Sequence, residues 1–323
     1  MVKSMRPHDV LANLIANLAL SVSTTESPVA ENGLLKRDYG YNFDIKKFRE
    51  EFETIFGDNF RPSDGFLNNS IKKKSITVEC KSYIDESDDR FKEQLLFYGK
   101  NDRFKEVFIN DDHDNEILVV CFDKQEEIEK IISIIEEVQQ EEGYETNIVV
   151  WVVSEPDQDG NHKIKKVYGN HTHDQDLETK MSQDGFLAKP IKTVLFNSPE
   201  SPENVLVAEI TKRLLSHQVQ LLNRESLMAD FIQRQQNDSV LSDNKMKSLV
   251  RCALRIFPEV GELSDDTLKF RPSIRYDKIQ KKISKIESMT SAEYRDYIQN
   301  SQKGKKSRKK EQDKNQQSLG SYF

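Results

Sequence analysis

The chain has 323 residues, 32% of them charged and 36% hydrophobic, and a net charge of −7. That length admits two domains, and that charge excludes an overall basic field, so any nucleic-acid contact needs a local patch or a recruiting partner. The three cysteines, Cys80, Cys121 and Cys252, stand singly in apolar runs without a CxxC, which argues for buried, reduced thiols in an intracellular protein.

Residues 7–20 read as a helix. Pro7 suits a first turn, and Val10, Leu11, Leu14, Ile15 and Leu18 form one stripe. Asn13 and Asn17 interrupt the apolar segment, which is too short to span a bilayer, so a packing helix is preferred to a signal peptide. Residues 21–33 read as a loop. Asp44 to Phe56 is expected to be an amphipathic helix, with Phe48, Phe52 and Phe56 four apart. A hairpin follows: Arg61 to Leu67, a turn at Asn68 and Asn69, then Ser75 to Lys81. Alternation puts Thr77, Glu79 and Lys81 on one face and Val78 and Cys80 on the other, toward a core. Asp85 to Arg90 reads as an acidic loop. Phe91 to Gly99 reads as a helix with Gln94 and Tyr98 on one face. Glu116 to Phe122 and Asn147 to Val153 read as strands buried on both faces. Between them the isoleucines Ile128, Ile131, Ile132, Ile134 and Ile135 mark a helix from Lys124 to Glu142. This order is that of an α/β sandwich.

The chemistry sits in the hairpin. The pairing places Asp64 beside Glu79, with Lys81 two residues on. Two such carboxylates can hold Mg²⁺ through oxygen, and the ion acidifies a bound water and stabilises charge on a phosphate. Acid-x-Lys also occurs at Asp44/Lys46, Glu178/Lys180 and Asp243/Lys245. Only Glu79/Lys81 ends a β-branched run, follows Pro62-x-Asp64 and precedes an amphipathic helix. Taken together, Pro62-x-Asp64, Glu79-x-Lys81 and Gln94-x-x-x-Tyr98 resemble the PD-(D/E)xK nuclease superfamily in its RecB-like branch, over roughly residues 40–125. The resemblance implies a restriction-endonuclease-like α/β core and a Mg²⁺- or Mn²⁺-dependent deoxyribonuclease. Asp64 and Glu79 would bind metal, Lys81 would assist the attacking water, and Gln94 and Tyr98 would lie near the DNA. Glu50, Glu51 and Glu53 are all available as an upstream acid; Glu53 is taken as the third metal ligand.

Farther on, Lys163 to Tyr168 reads as an edge strand. His162, His171 and His173 have spacings that metal ligands can have, but a solvated polar loop is preferred. From about Pro199 the pattern turns helical, over 203–236, 242–257 and 277–299. Arg213, Arg224, Arg234, Lys245, Lys247, Arg251 and Arg255 are scattered along it, either as phosphate contacts or as a solvated face.

The last stretch is basic. From Lys303, seven Lys and Arg stand against Glu311 and Asp313, about +5 on an acidic chain. Lys305, Lys306, Arg308, Lys309 and Lys310 are candidate DNA contacts in a segment expected to be disordered when free. Gln316, Leu319, Tyr322 and Phe323 then form a pattern that looks like a PIP box, the peptide that docks on the sliding clamp PCNA. Apolar side chains at a polar terminus have no core to join, and a clamp would raise the local DNA concentration.

The expected organisation is an N-terminal helix and loop (1–33), a nuclease-like α/β domain (34–170), a mostly helical domain (171–300), a basic linker (301–315) and a clamp-binding peptide (316–323). The function expected is a clamp-recruited DNA nuclease in repair or replication, located with the DNA: nuclear in a eukaryote, cytoplasmic in an archaeon, with no membrane role. The alternatives are a non-catalytic clamp adaptor on a degenerate nuclease fold and a restriction or defence endonuclease.

Overall fold

The computed structural model describes residues 6–19, 34–44, 52, 54–56, 62–84, 89–109, 112–172, 174–188, 202–219, 221, 224–235, 241–272 and 275–300. Phe48, Glu50, Glu51, Glu53, His173, the centre of the acidic loop and every residue of the basic tail and terminal peptide lie outside the described residues. The chain is mixed α/β and divides into two compact units. The first takes in 6–188 with 232–235 and 241–242, and the second 202–231 and 243–300, among the described residues.

The first unit is built on one seven-stranded sheet whose spatial order follows the chain. Its strands are β1 (Asn42–Asp44), β2 (Gly65–Asn69), β3 (Lys74–Lys81), β4 (Asp114–Phe122), β5 (Asn147–Val153), β6 (His162–Tyr168) and β7 (Phe186–Ala188). β3, β4 and β5 pair in parallel, and the flanking pairs are antiparallel. A parallel pair needs a crossover. α3 (Arg90–Lys100) and α4 (Asp102–Phe108) make the first and α5 (Gln125–Gln139) the second. These helices bury Leu95, Tyr98, Phe104, Ile128, Ile131, Ile135 and Val138 against Ile117, Val119, Cys121, Ile148, Val150 and Val152 of β4 and β5. Phe52 joins this cluster, with its ring centroid 5.6 Å from that of Phe97.

The sheet's other face is covered as well. Leu118, Val120, Val149 and Trp151 are buried, and α1 (Pro7–Ala19) packs on β3 and β4. Val78 and Cys80 are therefore core, as expected, but so are Thr77 and Glu79 on the opposite row. α2 (Leu34–Tyr39) lies next to α1, and α6 (Gln175–Gln183) against β6.

Four expectations need correcting. Asp44 ends strand β1 rather than starting a helix, because residues 42–44 pair with 66–68. The hairpin turn lies at 70–73, not at Asn68 and Asn69. The Asn69 side chain accepts from the backbone N–H of Ile71 and Lys72, at 3.1 and 2.9 Å, and so shapes the turn from inside the strand. β6 is not an edge, since β7 pairs beyond it. β7 also carries the sheet past residue 170, where the sequence pattern divides the chain.

In the second unit α9 (Asp243–Ile256) and α10 (Tyr276–Glu287) both pack on α7 (Glu203–Val219). Asn204 ties the end of α10 to α7, donating to the carbonyls of Ile286 and Met289 at 3.1 and 2.9 Å. The expected helix 203–236 is interrupted. β8 (Glu225–Leu227) separates α7 from α8 (Met228–Gln235), and β9 (Gly261–Ser264) with β10 (Thr267–Phe270) completes a small antiparallel sheet. Residues 291–300 are helical.

Candidate active site

The carboxyl end of β3 gathers side chains from four elements. β2 runs antiparallel to β3, with Gly65 opposite Val78. One residue earlier, the Asp64 N–H donates to the Val78 carbonyl at 2.9 Å. This turns the Asp64 side chain onto the end of β3, where its Oδ2 accepts the Cys80 N–H at 2.7 Å. A Cβ at the next residue, Gly65, would stand 2.4 Å from the Phe43 ring, so a larger residue there would displace that ring.

Glu79 and Lys81 share the face toward α3. Lys81 Nζ lies 2.7 Å from Glu79 Oε1 and donates to Gln94 Oε1 at 2.8 Å. It also sits 4.9 Å from the centre of the Phe91 ring. Tyr98 donates its hydroxyl to Glu79 Oε2 at 3.3 Å. Glu79, Lys81, Gln94 and Tyr98 are thus one connected group, and Asp64 is bonded to the backbone between Glu79 and Lys81. The side chains of Asp64 and Lys81 keep 18% of their exposure and that of Glu79 5%, so the group opens to solvent at one end.

His8 was not anticipated. It stands at the start of α1, and its Nε2 lies 3.0 Å from Asp64 Oδ1. Sequence reasoning weighed only the apolar stripe of that helix, and 56 residues separate the two partners. Burial pulls the imidazole toward neutrality, but the charge and hydrogen bond of Asp64, with Asp9 and Glu79 behind, outweigh it and hold its pKa at about 10. Burial raises the Glu79 carboxyl, and the Asp64 charge adds to this, against the opposing pull of Lys81. Tyr98 and Cys80 are pushed up by burial and by the same two carboxylates.

Carboxylates are oxygen donors of the kind a hard cation takes while keeping most of its waters. No group of three or more His, Cys, Asp or Glu is arranged to hold a metal among the described residues. Asp64 and Glu79 are the two acids of the expected set that the structure describes; the third, Glu53, lies outside the described residues.

A second polar cluster occupies the opposite end of β3 and β4. Glu116 pairs with His171 Nδ1, and the Trp151 indole N–H donates to His171 Nε2 at 3.0 Å. An indole only donates, so His171 accepts at Nε2 and gives its Nδ1 proton to Glu116. Asp174 accepts from Tyr41 at 2.9 Å and Lys72 at 2.7 Å, and from the Leu177 N–H at the start of α6. His171, Glu116 and Asp174 are all buried. The solvated histidine loop expected there is therefore overturned: both His171 nitrogens are engaged, and His162 is buried against the Ser154 carbonyl at 2.8 Å. Lys74 lines a small pocket beside this cluster. Burial lowers its pKa, against the charges of Glu116, Asp174 and Asp114.

In the second unit, the Arg213 guanidinium expected to face solvent or phosphate instead pairs with buried Glu209 at 2.9 Å. All three cysteines are free and buried. No helix among the described residues is long and apolar enough to cross a membrane. No protein-family model, curated protein or solved structure matches the chain.

Proposed function

We propose that the chain is a divalent-cation-dependent nuclease that hydrolyses DNA phosphodiesters at the carboxyl end of β3. The observation that carries this reading is the placement of Lys81 between Glu79 and Gln94, beside a second carboxylate, Asp64, at an edge open to solvent. Asp64 and Glu79 would hold Mg²⁺ or Mn²⁺, and the bound ion would supply a more acidic water and offset phosphate charge. The Lys81 ammonium is fixed by three contacts, Glu79, Gln94 and the Phe91 ring. A fixed cation at that point can orient the attacking water or neutralise a phosphate oxygen. Tyr98 donates to Glu79 from the buried side and keeps the carboxylate turned to the edge. Gln94 accepts from Lys81 and so holds the ammonium in place.

The terminal pattern Gln316, Leu319, Tyr322 and Phe323 supports recruitment by a sliding clamp, and Lys305, Lys306, Arg308, Lys309 and Lys310 support phosphate contacts on the way. Such recruitment suits an acidic enzyme, because the clamp supplies the proximity to DNA that the overall charge does not. A repair or replication role follows from that partner.

The test is Lys81→Ala. Its cleavage rate with Mg²⁺ is expected to fall by about 10² to 10⁴-fold, the span typical of a positioned catalytic group, in a variant that still folds but is less stable because buried Glu79 has lost its cation. Full activity in that variant refutes the assignment.

A further inference from the structure

The tyrosine most open to water among the described residues is Tyr83, at 67% exposure. It stands two residues beyond Lys81, where β3 has ended and the chain bends at Ser82. Two residues of chain span at most about 7 Å, so the Cα atoms of Lys81 and Tyr83 are no farther apart than that. A lone exposed apolar side chain is ordinary. One anchored at the rim of a charged site is less so.

The backbone holds Tyr83 from both sides. Before it, Lys81 is in register with Cys121 of β4. After it, Ile84 is buried in the same apolar cluster as Phe91, Leu95 and Ile128, and its N–H donates to Glu127 Oε2 at 3.0 Å. Between these fixed neighbours the Tyr83 ring has no aromatic or cationic contact, and its hydroxyl no hydrogen bond, among the described residues. A ring on anchored backbone loses little freedom when it meets a ligand.

We infer that Tyr83 is a stacking platform for an unpaired base, and that the site at the carboxyl end of β3 takes single-stranded DNA. Two arguments select this ligand. An aromatic ring stacks on the face of any base, but only where that face is open. In a duplex each base is covered by its neighbours, whereas an unpaired strand can offer a base to a ring beside its phosphate. Charge points the same way. A duplex carries one phosphate charge per about 1.7 Å of its axis and a single strand about one per 3.4 Å, so a chain with a net charge of −7 repels the single strand less. Tyr83 touches the base and not the reacting atoms, and so acts on the choice of substrate.

The inference rests on the nuclease reading for its ligand, but its test does not depend on cleavage. The full chain is titrated in EDTA with a fluorescent single strand of about 16 nucleotides, and with the matching duplex. Tyr83→Ala is expected to bind the single strand about 5- to 150-fold more weakly, the range for one lost base stack, and the duplex within about twofold of wild type. Tyr83→Phe keeps the ring and is expected to stay within about twofold of wild type on both DNAs. The side chain is exposed, so neither variant should lower the melting temperature. An equal loss on both DNAs, or a wild type that does not bind the single strand, overturns the inference whatever the nuclease assay shows. No loss in Tyr83→Ala also overturns it, and leaves the ring to a protein partner. Full cleavage by Lys81→Ala, together with the expected single-strand loss in Tyr83→Ala, refutes the nuclease reading alone and leaves a single-strand binding site.

Discussion

The two ends of β3 bury similar side chains to opposite effect. At the amino end, the Glu116, His171 and Trp151 chain is closed: each polar atom in it has a partner, and donor types alone decide where the His171 proton lies. At the carboxyl end the acids are served by cations at a rim. Asp64 is met by His8, whose side chain is 38% exposed, and Glu79 by Lys81. A buried network with every member satisfied stabilises and specifies a fold. The acids at the carboxyl end keep cationic partners at a partly exposed rim, which is what the proposed function needs. Buried charge by itself therefore does not mark a site, since the fully satisfied cluster at the amino end is buried as well.

The comparison can be broken most readily at the closed end. Glu116→Ala leaves both the His171 Nδ1–H and an Asn147 amide N–H without their acceptor, each at about 1–3 kcal/mol when buried. Urea unfolding of this variant should show that loss, while cleavage per folded molecule stays unchanged. A drop in the specific rate would tie the two ends into one site.

Asp174 offers a smaller effect with a pH signature. Burial raises its carboxyl, but bonds from Lys72, the Leu177 N–H and Tyr41 more than reverse this and hold it below the ordinary aspartate value. A depressed acid contributes stability above its unfolded pKa and loses it as pH falls through the folded one. Asp174→Ala should therefore be less stable by about 1–3 kcal/mol at pH 7, and the gap should narrow as pH drops below about 4. A gap independent of pH would mean that Asp174 acts by packing alone. At the open end, Tyr98→Phe removes one long hydrogen bond to Glu79. It should slow cleavage only several-fold and shift stability by about 1 kcal/mol or less; a loss as large as that of Lys81→Ala would make Tyr98 a reacting group. The mildest effect is expected from deleting residues 316–323, which should leave the rate on naked DNA unchanged and abolish only stimulation by a clamp.

Much of the first unit was legible in the sequence. The apolar runs of β4 and β5 and the isoleucine spacing of α5 name their elements, because parallel strands buried on both faces and an amphipathic helix leave strong periodicities. Asp64, Glu79, Lys81, Gln94 and Tyr98 were also legible as candidates, since a hairpin and one helix turn bring them together. His8 was not, because nothing local in Pro7-His8-Asp9 signals a partner so far along the chain. The hairpin turn was misplaced because Asn69 works through its side chain while its backbone stays in the strand. β7 to β10 have three or four residues each, too few for an alternation to stand out from helical surroundings.

The most direct measurement pairs two readings on two variants, Glu79→Gln and Glu116→Gln: Mg²⁺-dependent cleavage of a panel of labelled DNAs (single strand, duplex, flap, fork, junction) and the melting temperature. The account predicts that Glu79→Gln loses cleavage on every substrate with its melting temperature unchanged or raised, because a buried charge has been removed. Glu116→Gln should melt earlier and still cut. Cleavage retained in Glu79→Gln, or no cleavage by the wild type on any of the DNAs, would contradict the claim that chemistry resides at the open end of β3.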